Sequence, residues 1–480
     1  MKRFLVLAMA LAATFTAASS ASAATIDVTT TEDLYGGSNT TCSLREAITS
    51  ASTNSGFDGC SSGSGADEIV LPAGEYKITI AGAGENNNTT GDFDIAGADA
   101  LTIRPAAGAK VVVNGNGIDR IYDQQSSGSL AILNQNIVGG VLSGVGEDGA
   151  GIANTTGSLT VDGVTINGNS TKYQGGAIAV YSALSAVNST FSGNAANGNG
   201  GALWIPGGAT ASVKSSTITK NTADADGDGN GYGGGFADGG ASNIGFVNVI
   251  NAANQDNSAA PINGPDCYSG PFFFPRYVLT TQALGAGNCL VGFNPGTNKV
   301  VADALLGPLK DNGGQTPTHA LLTGSPAIGA GGAAAPDLCP AKDQTGRDRP
   351  AGACDIGAVQ YVEPTPPGTV SVKIVRIKPK PLKLKRGKKA KAVSVTVKTT
   401  GAAGALDVKL CLKKPAKAVK KALKIKGKLC RKVGTLVGAK TVKFKIAAKK
   451  KAKKKTFKLK AVLSATDAAS RTGVVKVKVK

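Results

Sequence analysis

The sequence has one histidine, one tryptophan and two methionines in 480 residues, and aromatic side chains make up only 5% of it. A single histidine excludes metal sites built on two imidazoles and leaves His319 as the sole imidazole base. So few rings also exclude a bulky aromatic substrate groove. Beyond the N-terminal segment no stretch reaches the ~20 consecutive apolar residues that a membrane span needs, so no span is expected. The eight cysteines never show the C-x-x-C spacing of a zinc site. Acids are nearly missing from the last 110 residues: from Ser371 to Lys480 there are 37 Lys and Arg against Asp407 and Asp467, a net charge of +35.

What is present in quantity is glycine, at 65 residues, which implies an interior of small and aliphatic side chains in closely stacked turns. A hydrophobic fraction of 41% is enough to fill cores, and the length suits two to four domains at roughly 100 to 200 residues each. The 370 residues before the basic tail carry a net charge of −14, so one polypeptide joins an acidic body to a cationic module.

Residues 1–23 read as an export signal. Lys2 and Arg3 precede an apolar run from Phe4 to Ala18, and Ala21-Ser22-Ala23 forms a small-residue cleavage site. The mature protein is expected to begin at Ala24 and to be secreted, extracellular or cell-wall associated. Export permits disulfides, and the cysteines fall into neighbour pairs: Cys42/Cys60, Cys267/Cys289, Cys339/Cys354 and Cys411/Cys430. Eight cysteines admit about 105 pairings, so connectivity stays open, with neighbour pairing the simplest scheme.

An internal repeat sets the expected architecture. Leu101, Leu130, Leu159 and Leu184 each open a strand-like run, at separations of 29, 29 and 25. Later in each turn come Val164-Thr165-Ile166-Asn167-Gly168-Asn169, Ser189-Thr190-Phe191-Ser192-Gly193-Asn194 and Ser216-Thr217-Ile218-Thr219-Lys220-Asn221. A third rung repeats as Gly176-Ala177-Ile178 and Gly201-Ala202-Leu203. Three short runs per repeat predict an all-β solenoid, a right-handed parallel β-helix over residues 24–290. Asn169, Asn194 and Asn221 are expected to stack and to adopt left-handed turns. Stack ends expose strand edges that need covers. Ser43 with Glu46 forms a capping box for a short helix carrying Leu44, Ala47 and Ile48 on one face, and residues 291–361 are expected to form a C-terminal cap.

Some of these residues also carry a resemblance. Cys42-Ser43-Leu44-Arg45-Glu46-Ala47-Ile48 resembles the signature of bacterial exported CSLREA-domain proteins. Asp311-Asn312-Gly313-Gly314-Gln315-Thr316-Pro317-Thr318-His319-Ala320-Leu321-Leu322, Gly324-Ser325-Pro326-Ala327-Ile328 and Cys354-Asp355-Ile356-Gly357-Ala358 resemble the choice-of-anchor Q domain. The resemblance covers residues 25–361 and implies a right-handed β-helix of the pectin-lyase-like type, exported and surface-associated, without implying a reaction. Gln360 stands where many relatives carry Glu, and the basic tail lies outside the match.

Candidate chemistry is sparse. His319 lies in a Gly/Pro/Thr-rich segment where a structural hydrogen-bonding role is expected. Glu85, Asp92, Asp94, Asp119, Asp123, Asp162, Asp224, Asp226 and Asp228 are available acids and Arg104, Arg120, Lys172 and Lys214 available bases, but no spacing brings a base and an acid cluster together on consecutive coils. Asp224, Asp226 and Asp228, followed by Gly229 and Asn230, resemble the first half of a Ca²⁺ loop, although position twelve is Gly235 rather than Glu; they are the candidate metal ligands, with Ca²⁺ the candidate ion and an ordinary solvated turn the competing reading.

A Pro-rich linker at 362–369 leads to residues 370–480, where period-two runs such as Val393/Val395/Val397 and Val475/Val477/Val479 predict a small antiparallel Ig-like β-sandwich with lysines outward and a hairpin loop at 449–455. Soluble domains of this size carry charges of roughly 2 to 8, so a surplus of +35 points to a polyanionic partner. Export removes the chain from most nucleic acid, and Phe444 and Phe457 fall on the apolar face, where they do not stack bases. Anionic cell-wall polymers or acidic polysaccharides are the expected partner class, and a monomer the expected state. The functional expectation is a secreted, non-catalytic surface protein, adhesin-like or structural, held by its basic module; the alternative is a Ca²⁺-dependent pectate-type lyase acting on acidic glycans.

Overall fold

The computed structural model describes residues 23–480 apart from 145, 241, 259–263, 271–272, 284–293, 333–337, 351–353, 364–370, 380, 401–404, 413–420, 437–438 and 466–467. The expected signal at 1–23 and the linker at 362–369 fall largely outside the described residues. The chain is nearly all-β, with 3% helix, and divides into two compact units, Met1–Val362 and Glu363–Lys480.

The first unit is a parallel β-solenoid of about 6 turns. One coil runs through Ser158–Asp162, Thr165–Asn167, Ser170–Thr171 and Ile178–Val180 before Ala183–Val187 opens the next. A complete coil therefore contributes to four faces, which among the described residues hold, in chain order, nine, nine, five and seven strands. Three strands per coil were expected. The extra one, on the third face, is two residues long, too short to leave a period-two signature. The stack also continues to Lys299–Val300, which pairs with Leu279–Thr280.

Register explains the repeat. Leu101, Leu130, Leu159 and Leu184 are direct neighbours on the first face, as are Ile166, Phe191 and Ile218 on the second and Ile178 and Leu203 on the fourth. All of them are buried in one continuous core. Asn169, Asn194 and Asn221 do form a ladder: each Nδ2 donates to the next Oδ1, at 3.0, 2.9 and 2.9 Å, and Asn254 continues it onto Asp266 at 3.0 Å. The left-handed residue of each turn is the one before the asparagine, Gly168, Gly193 or Lys220. This differs from the expectation because the asparagine must point inward to meet its neighbours, which leaves the turn itself to the preceding residue.

The helix Leu44–Thr53 begins at Ser43 with both capping-box bonds to Glu46, and Leu44, Ala47, Ile48 and Ala51 join the solenoid core. The disulfide Cys42–Cys60 ties its start. Arg45 is fully buried. It pairs with Asp33 at 2.7 Å, donates to Gly91 O at 2.7 Å and Asp92 O at 2.8 Å, and lies 4.8 Å over the Phe93 ring.

The segment expected as a C-terminal cap packs against Ile250 and Leu279 through Leu321, Ala327 and Ile356, but it also runs back along the second face as a strap. Gln315 Nε2 donates to Ala109 O at 2.8 Å, Thr165 Oγ1 to Pro317 O at 2.6 Å, Thr190 Oγ1 to Gln344 Oε1 at 2.6 Å, and Ala358 N to Thr217 Oγ1 at 3.1 Å. Thr165, Thr190 and Thr217, one per coil, are the polar rail on which the strap is hung. Cys339–Cys354 closes a loop within it. Cys267 is disulfide-bonded, and Cys289 lies outside the described residues.

The second unit is two facing sheets around one core. Ser371–Lys378, Lys391–Thr400, Ala439–Ala448 and Leu423–Lys426 form one, and Leu382–Leu384, Ala468–Val479, Thr456–Ala465, Ala405–Leu412 and Cys430–Leu436 the other. Val395 and Phe444 from the first meet Leu410, Leu459 and Val477 from the second in a shared cluster. The expected antiparallel sheets are present, with one added pairing: Leu382–Leu384 runs parallel to the last strand. Residues 449–455 are not a hairpin: they cross from one sheet to the other, because the strands they join belong to different sheets. Cys411–Cys430 bridges directly opposed strand residues.

The ladder yields a stability prediction. Asn194→Ala strands buried donors and acceptors on both sides, so urea unfolding should show a loss of about 3 kcal/mol or more, whereas Asn197→Ala, at a partly exposed loop position, should cost under about 1 kcal/mol.

Candidate functional site

Asp224, Asp226 and Asp228 do converge, with one carboxylate oxygen from each within 4.8 Å of the others. They close the turn that leaves the two-residue strand Thr222–Ala223. Asp224 is buried and both its oxygens accept from Gly229 N, at 3.1 and 3.2 Å; Asp226 accepts from Asn197 Nδ2 at 2.9 Å and Asp228 from Asn230 N at 2.8 Å. One oxygen from each of three carboxylates, all already hydrogen-bonded within the protein, supplies at most half of the six to eight oxygens that Ca²⁺ takes. Gly235, where a bidentate Glu belongs in a complete loop, sits where a Cβ would collide with the Asn251 side chain and the Asp266 carbonyl. Close packing of consecutive coils thus excludes any longer residue there.

A second carboxylate group forms where no sequence spacing pointed to one. On the fourth face Asp94 and Asp123 are register partners, and Asp92 and Arg120 lie just before them on the same two coils. Arg120 Nη1 bridges Asp92 at 3.0 Å and Asp123 at 2.9 Å, while its Nε donates to Asp148 O on the next coil at 3.2 Å. Asp94 accepts from Asn88 N at 2.9 Å and Gln125 Nε2 at 2.7 Å. The signal missed was register: Phe93 stacks on Tyr122, and that pairing carries the flanking charges into line.

This cluster is buried rather than presented. Asp92, Asp94 and Asp123 are all buried, and Arg120, held by two carboxylates, is no base for abstracting a proton. Asp123 Oδ1 has no hydrogen-bond partner among the described residues. Burial, reinforced by Asp94, Asp119 and Asp123 against the opposing pull of Arg120, pushes Asp92 up to about 8. Burial pushes Asp94 up to about 7, against the Asn88 amide. The group clamps three consecutive coils, and burial shifts Asp92 and Asp94 toward the protonated form.

His319 is buried, with Nδ1 2.7 Å from Gly307 O and Nε2 2.9 Å from Ser192 Oγ. The carbonyl fixes Nδ1 as the protonated nitrogen, so Nε2 accepts from the serine. Burial lowers the pKa of the ring. With a carbonyl where a catalytic triad has a carboxylate, and no solvent access, the pair pins the strap to its coil.

The exposed chemistry lies in the second unit. Lys476, Lys478 and Lys480 alternate with buried Val475, Val477 and Val479, about 7 Å apart along the strand. Lys478 stands directly opposite Lys383, and Lys476 opposite Lys458, with strands about 5 Å apart. Like charges in direct register oppose folding. The two acids after Ser371 cannot neutralise 37 cations, so the unit keeps a large net positive charge.

No protein-family model and no curated protein matches the chain. Among the described residues no helix is long and apolar enough to cross a membrane, and the disulfides, three of them between described cysteines, suit an oxidising environment.

The raised carboxyls set a pH dependence. Asp92 and Asp94 bind protons in the fold that the unfolded chain, near 3.8, releases. Their stabilisation is complete below about pH 4 and lost as pH climbs through about 7 and 8. Chemical unfolding at pH 5 and pH 9 should show the native body weakened by several kcal/mol at the higher pH, on the order set by such shifts, and Asp92→Asn with Asp94→Asn should flatten that difference.

Proposed function

We propose that this is an exported, non-catalytic surface protein whose solenoid body is held to anionic envelope polymers by its cationic C-terminal unit. The observation that carries the reading is the outward lysine array, in like-charged register across neighbouring strands, in a unit with almost no acid of its own. Such a surface is relieved by a polyanion and weakened by salt. The disulfides support an extracellular setting. The resemblance to CSLREA-domain and choice-of-anchor Q proteins supports surface association, and its two signature segments are the ones that supply the helix on the first coils and the strap. The body then acts as a stiff spacer with a long side surface, adhesin-like or structural.

The second reading, a Ca²⁺-dependent lyase on acidic glycans, is favoured by one observation: Asp92, Asp94 and Asp123 converge beside Arg120 on consecutive coils. Their burial weighs against it.

Co-sedimentation of the full chain with purified cell walls tests the proposal. Retention is expected at low ionic strength, with release by about 0.5 M NaCl as the Debye length falls below about 5 Å; replacing Lys383, Lys458, Lys476 and Lys478 with Glu should lower the salt concentration at which the protein is released. Wild-type protein that stays in the supernatant at low salt would sink the reading. Unsaturated product from polygalacturonate with Ca²⁺ would favour the lyase, and DNA retained at physiological salt in preference to cell walls would favour nucleic acid.

A further inference from the structure

We infer that the C-terminal unit contains a selective pocket for a phosphorylated polyol, taking one repeat of the anionic polymer; this deepens the polymer-holding reading and rests on it. The crossing segment 449–455 creates the pocket. Lys449 N donates to Ala422 O at 2.9 Å and Ala452 N to Lys449 O at 3.1 Å, which folds the crossing against residues 421–422 at the end of the core. The result is a cavity of about 290 Å³. Lys421, Lys451, Lys453 and Lys455 stand around it, all exposed, and Ala422, Ala452 and Phe457, all buried, form its floor.

The composition of the wall selects the ligand. Among the described residues its charged groups are all ammonium: neither a carboxylate nor a guanidinium lines the cavity. Guanidinium forks match planar carboxylates in pairs of parallel bonds, whereas ammonium groups are compact point charges with rotatable donors. Four of them lining one cavity suit a tetrahedral group with several charged oxygens, a phosphate, better than the single charge of a uronate. The floor selects the rest. Lys455 Nζ lies over the Phe457 ring, 5.4 Å from its centroid, so the cation meets the apolar floor of one ring and two methyl groups directly. A short carbon skeleton attached to the phosphate rests there. The volume is at the small end for ligand sites, which suits one polyol unit rather than an oligosaccharide. The lysine rows of the open sheet have no such floor and act through charge alone.

Calorimetric titration of the full chain at about 150 mM salt, using glycerol 3-phosphate, inorganic phosphate, glucuronate and glycerol as probes, tests the pocket. Saturable binding of one glycerol 3-phosphate per chain is expected, with weaker binding of inorganic phosphate and none of glucuronate or glycerol. Lys453→Ala with Lys455→Ala should weaken it at least about tenfold, the scale of two lost charge-assisted bonds. Lys476→Ala with Lys478→Ala removes the same charge from the open sheet and should change it less than about threefold. Both pairs are exposed, and unchanged thermal unfolding of each variant establishes that it folds. Equal loss in the two variants, binding of glucuronate as tight as that of glycerol 3-phosphate, or no saturable phosphate binding would overturn the pocket. Salt-reversible sedimentation with cell walls, run on the same samples, reads the broader proposal separately: retention without phosphate selectivity defeats the pocket alone, and phosphate binding without retention defeats the anchoring role alone.

Discussion

In-register stacking of short parallel strands is the constraint on which the first unit rests. Its strands are two to five residues long, too short to be stable singly, and their backbone groups find partners only on the coils above and below. Register must therefore be kept at every coil, and insertions must leave the ladders where they occur. The change from 25-residue to longer repeats is absorbed in loops such as 224–235, while Leu159, Leu184 and Ala211 remain aligned. The asparagine ladder holds the same register from within, since an amide displaced by one coil loses donor and acceptor together.

Buried charge supplies a second layer of order at the start of the stack. Arg45 brings the helix, Asp33 and the carbonyls of Gly91 and Asp92 to one point. Asp92 in turn meets Arg120, whose guanidinium reaches the following coil. Pairs of this kind contribute little net stability against well-packed apolar side chains, but removing one partner is costly, so their effect is to specify a single arrangement. The helix and the Arg120 cluster are in this sense one structure. The arginine of the C-S-L-R-E-A run has its physical role here, inside the protein rather than on a ligand.

The two units divide the chemistry. In the body, groups that look reactive in the sequence are taken up by its own architecture: His319 holds the strap, Arg120 holds coils, and the carboxylates of 224–228 hold a turn. In the second unit the reverse applies, with far more cations than internal partners. That contrast is the physical basis of the proposed interaction between the C-terminal unit and external anions.

Periodicity made much of this legible in advance. The leucine and asparagine repeats, the capping box at Ser43 and Glu46, and the alternation of valine with lysine after Ser371 are local patterns, and each reports directly which face a residue occupies. The strap, the four-faced coil, the crossing of 449–455 between sheets and the Arg120 cluster were not legible, because each joins residues through a register or a path that no short window of sequence contains. Asp94 and Asp123 are 29 positions apart in the chain and adjacent only once Phe93 lies on Tyr122. Sequence alone thus determined the solenoid, its helical cover and the cationic sheet, since these follow from repeating local chemistry. Tertiary structure alone decided which charges are buried together and which remain free, since burial depends on what the rest of the chain lays over them.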